Sequence, residues 1–194
     1  MIPRILALLL VFAALLLPAA EEYSWWVEPC PPETARSTGC EPGDPELGRW
    51  ALEMWQRESD GAFVLKKSPG ESQARIRIHW ANGTSSLYGE AQPIMVEGKR
   101  GASVYVLPTM GSARGDHLLR DAIVYLTCVH ETGHALGLAH TREFADIMYS
   151  FGYGGDIVAY FQRYRGQLNT RADIPAHSGI SDADRTAMRL LFKR

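Results

Sequence analysis

The sequence predicts an α+β domain. Short apolar or alternating stretches typical of strands fall between residues 23 and 107. One long helical pattern covers residues 116–136, and a second closes the chain over residues 180–192. Taken in order, residues 23–27 read as a short strand. Residues 45–58 read as a helix, with Asp44 as its N-cap, Pro45 in its first turn and Leu47, Trp50, Ala51, Met54 and Trp55 on one apolar face. Residues 63–66 and 75–80 read as strands, the second alternating Arg75-Ile76-Arg77-Ile78 as a half-buried strand does. Another strand spans residues 103–107 and is stopped by Pro108. In the closing helix Ser181 caps the start, with Ala183, Ala187, Leu190 and Leu191 turned inward.

Composition bounds the class. The 194 residues suit one domain, and 46% hydrophobic with 22% charged residues is the balance of a folded globular chain. A net charge of -2 opposes nucleic-acid binding, and three cysteines are too few for a disulfide scaffold. The first twenty residues form a separate unit. Arg4 is their only charge, residues 5–17 are wholly apolar, and Pro18-Ala19-Ala20 leads into Glu21-Glu22. A basic start, a short apolar run and small residues before a polar chain describe a secretory signal peptide cut near Ala20. The 13 apolar residues fall short of the roughly 20 that span a bilayer, and no later stretch crosses a membrane. The expected divisions are a signal peptide over 1–20, an N-terminal segment over 21–44 and a main folded domain over 45–194. The mature chain is expected outside the cytoplasm, in a periplasm or beyond the cell. In that oxidising setting Cys30 and Cys40, ten residues apart in a Pro/Gly/Glu-rich stretch, are expected to form a disulfide. Cys128 sits in an apolar helix and reads as a small buried hydrophobe.

The chemistry is concentrated in His130-Glu131-Thr132-Gly133-His134-Ala135-Leu136-Gly137-Leu138-Ala139-His140. At 100° per residue, His130 and His134 project about 40° apart, one turn above the other. Gly137 follows the last helical residues, where a glycine at positive φ lets the chain turn and bring His140 back. Three neutral imidazoles and an open fourth position suit one catalytic zinc ion. Glu131 lies on the adjoining helix face, within reach of a water at the metal without being a ligand. Three His, one Glu and one Gly at this spacing arise by chance at on the order of one position in ten million. His79, His117 and His177 lack such spacing and read as ordinary histidines.

The extended motif, followed by Asp146-Ile147-Met148-Tyr149, resembles the metzincin metalloproteases. Met148 falls eight residues after His140, and a hydroxyl residue, Thr141, follows that histidine. Both features are most similar to the matrixin branch, and Ile180-Ser181-Asp182-Ala183-Asp184 resembles the closing helix of bacterial matrixin-like domains. The resemblance implies a zincin-like fold: a twisted mixed β-sheet packed on an active-site helix, with a C-terminal helix. It implies a zinc-dependent endopeptidase with His130, His134 and His140 as ligands, Glu131 as general base and Met148 as the apolar floor beneath the ligands. Tyr149 and Tyr153 are placed to shape the pocket for a substrate side chain. The peptide substrate is expected to lie extended along an edge strand, assigned to residues 103–107. Matrixins also carry structural zinc and calcium, but no residue pattern here matches those sites. The stretch 156–168, with Ile157, Tyr160, Phe161 and Tyr164 at helical spacing, is an insertion that packs on the domain or covers one side of the cleft. A cysteine thiolate holding the zinc in a latent form is a matrixin device. The Cys30–Cys40 pairing argues against it here. Two other classes fit the motif less well: a secreted zinc-binding recognition module, which has no need of Glu131, and a zinc hydrolase acting on something other than peptides.

Overall fold

The computed structural model describes residues 20–83, 88–109 and 115–193. Apart from Ala20, the expected signal peptide lies outside the described residues. The elements are β1 (Glu21–Val27), α1 (Pro32–Thr38), α2 (Asp44–Glu58), β2 (Phe63–Lys67), β3 (Ile76–Trp80), β4 (Gly89–Val96), β5 (Lys99–Val106), α3 (His117–Leu136), α4 (Ile157–Arg165) and α5 (Asp182–Phe192). The strands form one sheet in the order β2-β1-β3-β5-β4, with β4 antiparallel to β5 and the other neighbours parallel. The expected α+β class, with a mixed sheet packed on the motif helix, is what the chain adopts.

The core lies between one face of this sheet and the paired helices α2 and α3. Leu47, Ala51, Met54 and Trp55 of α2 and Ile123, Val124 and Cys128 of α3 are buried with Ile76, Ile78, Val104 and Val106. An indole left unpaired in such a core costs a lost hydrogen bond. Trp55 avoids this by donating its N–H to the carbonyl of Val129 at 2.9 Å, which also fixes α2 against the motif helix.

Several expectations are amended. β1 hydrogen-bonds to β2 on one side and to β3 on the other. Strand β1, at the start of the 21–44 segment, is therefore part of the sheet that carries the site. Cys30 and Cys40 are bonded to each other just after that strand. Between them runs α1, which the Pro- and Gly-rich composition conceals. Pro32 opens it and Gly39, at φ 73°, closes it, each where its backbone preference suits a helix end. Asp44 is the first residue of α2 and does not cap it. Its fully buried carboxylate takes the guanidinium of Arg120 on α3, together with the N–H of Glu41 at 2.8 Å.

The edge strand is β4, not residues 103–107, since β5 is hydrogen-bonded on both sides. Pro93 and Gly89 break the alternation of β4, so its pattern is faint in the sequence. Pro93 is tolerated because of where its nitrogen points. The Leu107 N–H donates to the Tyr88 carbonyl at 2.9 Å, which sets even-numbered β4 residues toward β5 and odd-numbered ones toward the free edge. A proline on that edge removes no ladder bond.

α5 is rotated from the expected register. Asp184 and Met188 face inward, whereas Leu190 and Leu191 are 58% and 47% exposed. The cause is the Asp184 carboxylate, which accepts backbone N–H groups from a loop of the site described next.

Candidate active site

α3 starts at Asp116, whose side chain accepts the Leu119 N–H at 2.9 Å, and runs to Leu136. It stops because Gly137 adopts φ 109°, with its N–H returning to the carbonyls of Gly133 and His134. No L side chain sits comfortably at that φ, so the turn needs a glycine. The turn carries His140 back over the helix. The Nε2 atoms of His130 and His140 are 3.2 Å apart, and those of His134 and His140 are 3.1 Å apart. Nδ1 of His130 lies 2.6 Å from the Ile147 carbonyl, and Nδ1 of His134 lies 2.8 Å from the Leu138 carbonyl. A carbonyl only accepts, so each Nδ1 carries the proton and each Nε2 presents a bare lone pair.

Lone pairs facing one another at such distances repel unless a cation sits among them. The metal-binding atoms of the three rings all lie within 4.8 Å of one another. A tetrahedral zinc with nitrogens at about 2.0 to 2.1 Å sets them roughly 3.3 Å apart, close to what the side chains adopt. The donor set therefore fits zinc. Burial, with the two neighbouring imidazoles, pushes His130 down to about 4, which keeps it neutral as a ligand must be.

The support beneath these three histidines is specific. The Thr141 N–H donates to the Met148 carbonyl at 2.8 Å, tying the segment after His140 to the methionine turn. Met148 is buried against the helix, and a Cβ on Gly133 would meet its sulfur at 2.6 Å. Gly133, between the first two histidines, thus lets the methionine in. The turn itself hangs on α5. The Asp184 carboxylate accepts the N–H of Ile147 at 2.7 Å and of Met148 at 3.3 Å, and Ser181 Oγ donates to Asp146 at 2.7 Å. The Tyr160 hydroxyl donates to the Asp146 carbonyl at 3.0 Å. Sequence reading missed Asp184 in this role. Its visible signal was the Ser181–Asp184 capping pattern, which identifies a helix start and not what else the carboxylate reaches.

Glu131 is buried beside the three histidines and outside their cluster. Burial, with a contribution from Glu90, raises its carboxyl to about 8. Gly89, at the start of the edge strand, comes so close that a Cβ there would meet Cγ of Glu131 at 2.8 Å. A cavity of about 400 Å³ opens beside His130, Glu131 and His134, walled by Tyr149, Phe151, Ile157, Tyr160 and Phe161. The insertion thus does both things considered for it: Tyr160 and Phe161 are buried, and α4 forms one wall. Tyr149 lines the cavity with its hydroxyl on the Gly154 carbonyl, while Tyr153 is exposed with Arg142 over its ring. Cys128 is fully buried in α3, and burial pushes its thiol up. His79 stands apart on β3, near Glu28 and Glu71 and stacked on Tyr105.

A helix bearing two imidazoles, a glycine turn returning a third and a methionine turn below define a metzincin-type zinc metallopeptidase. The family model for Matrixin matches residues 44–157, which run from the start of α2 through the motif and methionine turn to the start of α4. The chain belongs to the matrixin family, and is a zinc metalloendopeptidase of that type. No curated protein matches it. Among the described residues, no helix is long and apolar enough to cross a membrane.

Proposed function

We propose an exported endopeptidase in which His130, His134 and His140 hold one catalytic zinc and Glu131 is the general base. The observation that carries the ligand assignment is the convergence of bare Nε2 atoms, with Nδ1 of His130 and His134 committed to the carbonyls of Ile147 and Leu138. Zinc at such a site supplies Lewis acidity, polarising the scissile carbonyl and making a water nucleophilic near neutral pH. The residues do the rest. Glu131 takes the water proton on its carboxylate and passes it to the leaving amine. Met148 packs under the histidines and touches no substrate. The substrate backbone pairs with the free edge of β4, where Gly89 and Ala91 offer outward N–H and C=O groups. One side chain of the peptide enters the aromatic cavity.

Residues 1–20 act as the export signal, and the sheet-building segment from Glu21 onward belongs to the catalytic unit. The Cys30–Cys40 disulfide supports an oxidising destination. It also uses up both cysteines near the N-terminal strand, so neither serves as an inhibitory thiolate. Metal analysis and peptide hydrolysis on one preparation, with and without chelator, test this reading. One zinc per chain and chelator-sensitive endoproteolysis are expected; a metal-free chain that cleaves peptides refutes it.

A further inference from the structure

On the other side of the ligands from the aromatic cavity lies a second hollow of about 290 Å³, walled by Ala91, Pro93, Ala102, His134, Gly137 and Leu138 with Arg100 at its end. Even-numbered β5 residues point to the helix side of the sheet, since Ala102, Val104 and Val106 are in the core. Arg100 continues that row past the core, opposite the exposed Met95. Its side chain is therefore delivered to the cleft face, and no carboxylate lines the hollow. Among the described residues, Arg100 forms no ion pair.

The backbone explains why a side chain matters there. An added strand finds both donor and acceptor at Gly89 and Ala91, but only an acceptor at Pro93. Recognition by main-chain hydrogen bonds weakens where the Arg100 hollow begins.

We propose that Arg100 forms an anion-accepting subsite, and that this enzyme prefers peptides bearing an aspartate or glutamate on the side of the scissile bond remote from the aromatic cavity. A strand advances about 3.3 Å per residue, so the span from Gly89 to Pro93 places the acidic residue about four positions from the one in the aromatic cavity. The subsite deepens the endopeptidase reading and rests on it.

The test is digestion of a peptide library by the zinc-loaded mature enzyme, with the cut sites sequenced, followed by matched peptides carrying Glu or Lys at the enriched position. The parent is expected to favour the Glu peptide by about fivefold in kcat/KM, as a partly exposed ion pair allows. The preference should shrink as ionic strength rises. Arg100→Glu is expected to invert the ratio of the two peptides, a readout in which any general loss of activity cancels. Lys99→Glu makes the same charge change on the opposite face of the sheet and should leave the ratio as in the parent. Equal turnover of both peptides by the parent, or an unchanged ratio in Arg100→Glu, overturns the subsite while leaving the endopeptidase reading intact. Failure of the zinc-loaded parent to cut any peptide overturns both.

Discussion

Replacing Asp184 tests whether the C-terminal helix holds the zinc ligands in place. Its carboxylate is 1% exposed and accepts three backbone N–H groups: Ile147 at 2.7 Å, Ser181 at 2.9 Å and Met148 at 3.3 Å. Asp184→Ala leaves the two methionine-turn donors buried and without their acceptor. Each such donor costs about 1 to 3 kcal/mol, and the half-exposed Ser181 N–H less, because water can replace the lost partner. Part of this is offset because a carboxylate no longer has to be buried. The net loss is expected at about 3 to 4 kcal/mol, a large share of the roughly 5 to 15 kcal/mol that holds a domain together. Asp184→Asn keeps one acceptor oxygen and should lose about half as much. The consequence reaches the metal because the Ile147 carbonyl orients His130 through Nδ1. Loss of such an outer partner lowers metal affinity about 10- to 100-fold. Urea unfolding measures the first quantity, and competition with a chelator of known affinity measures the second. Asn is the informative variant because it should stay folded. Reduced stability with parental zinc affinity would refute the coupling between α5 and the ligands. Parental stability in Asp184→Ala would refute the energetic reasoning itself.

Glu131→Ala should retain zinc and lose peptide hydrolysis by about 10²- to 10⁴-fold, the contribution of a positioned general base; metal loss on its introduction would make Glu131 a ligand instead. Gly89→Ala places a Cβ 2.7 Å from Thr127 Cγ2 and 2.8 Å from Glu131 Cγ, so turnover should fall while zinc content stays at one per chain; parental turnover contradicts the close approach. His140→Ala should weaken zinc binding directly, and Gly137→Val should do so indirectly by straining the turn at φ 109°; parental metal affinity in Gly137→Val would sink the turn argument. Cutting the Cys30–Cys40 loop with a double Ser substitution should cost about 3 kcal/mol, the chain entropy of so short a loop. Thiol titration of the native protein should then find no reactive cysteine, and of the denatured protein one, Cys128; two or more thiols in the unreduced chain would remove the disulfide.

What could be read in advance was whatever depends on neighbours along the chain. The stacking of His130 and His134, the glycine turn at Gly137 and the cap at Ser181 are all settled within a few residues. The inward face of α5 was misjudged because Asp184 counts as polar by periodicity, yet its partners are Ile147 and Met148, 37 and 36 residues away. Asp44 misled in the same way, as a cap residue by type whose carboxylate is claimed by Arg120, 76 residues on. β4 was invisible because Pro93 and Gly89 break the alternation, and both are there for reasons outside the strand: a free edge and a close glutamate. The substrate edge was therefore assigned to the better-patterned strand beside it.

Pro93 also bears on self-pairing along the β4 edge. An uncovered strand edge is a template on which another chain can pair, and runs of outward donors invite stacking into fibres. β4 must stay uncovered if a peptide is to lie along it, so the protective devices of covering or shortening it are closed to this fold. A proline in the middle of the row limits the ladder to a few rungs. That suffices for a short extended segment and is too little for a second copy of the strand to zip along its length. The same residue that conceals the strand in the sequence also interrupts the row of outward donors on which a second strand would pair.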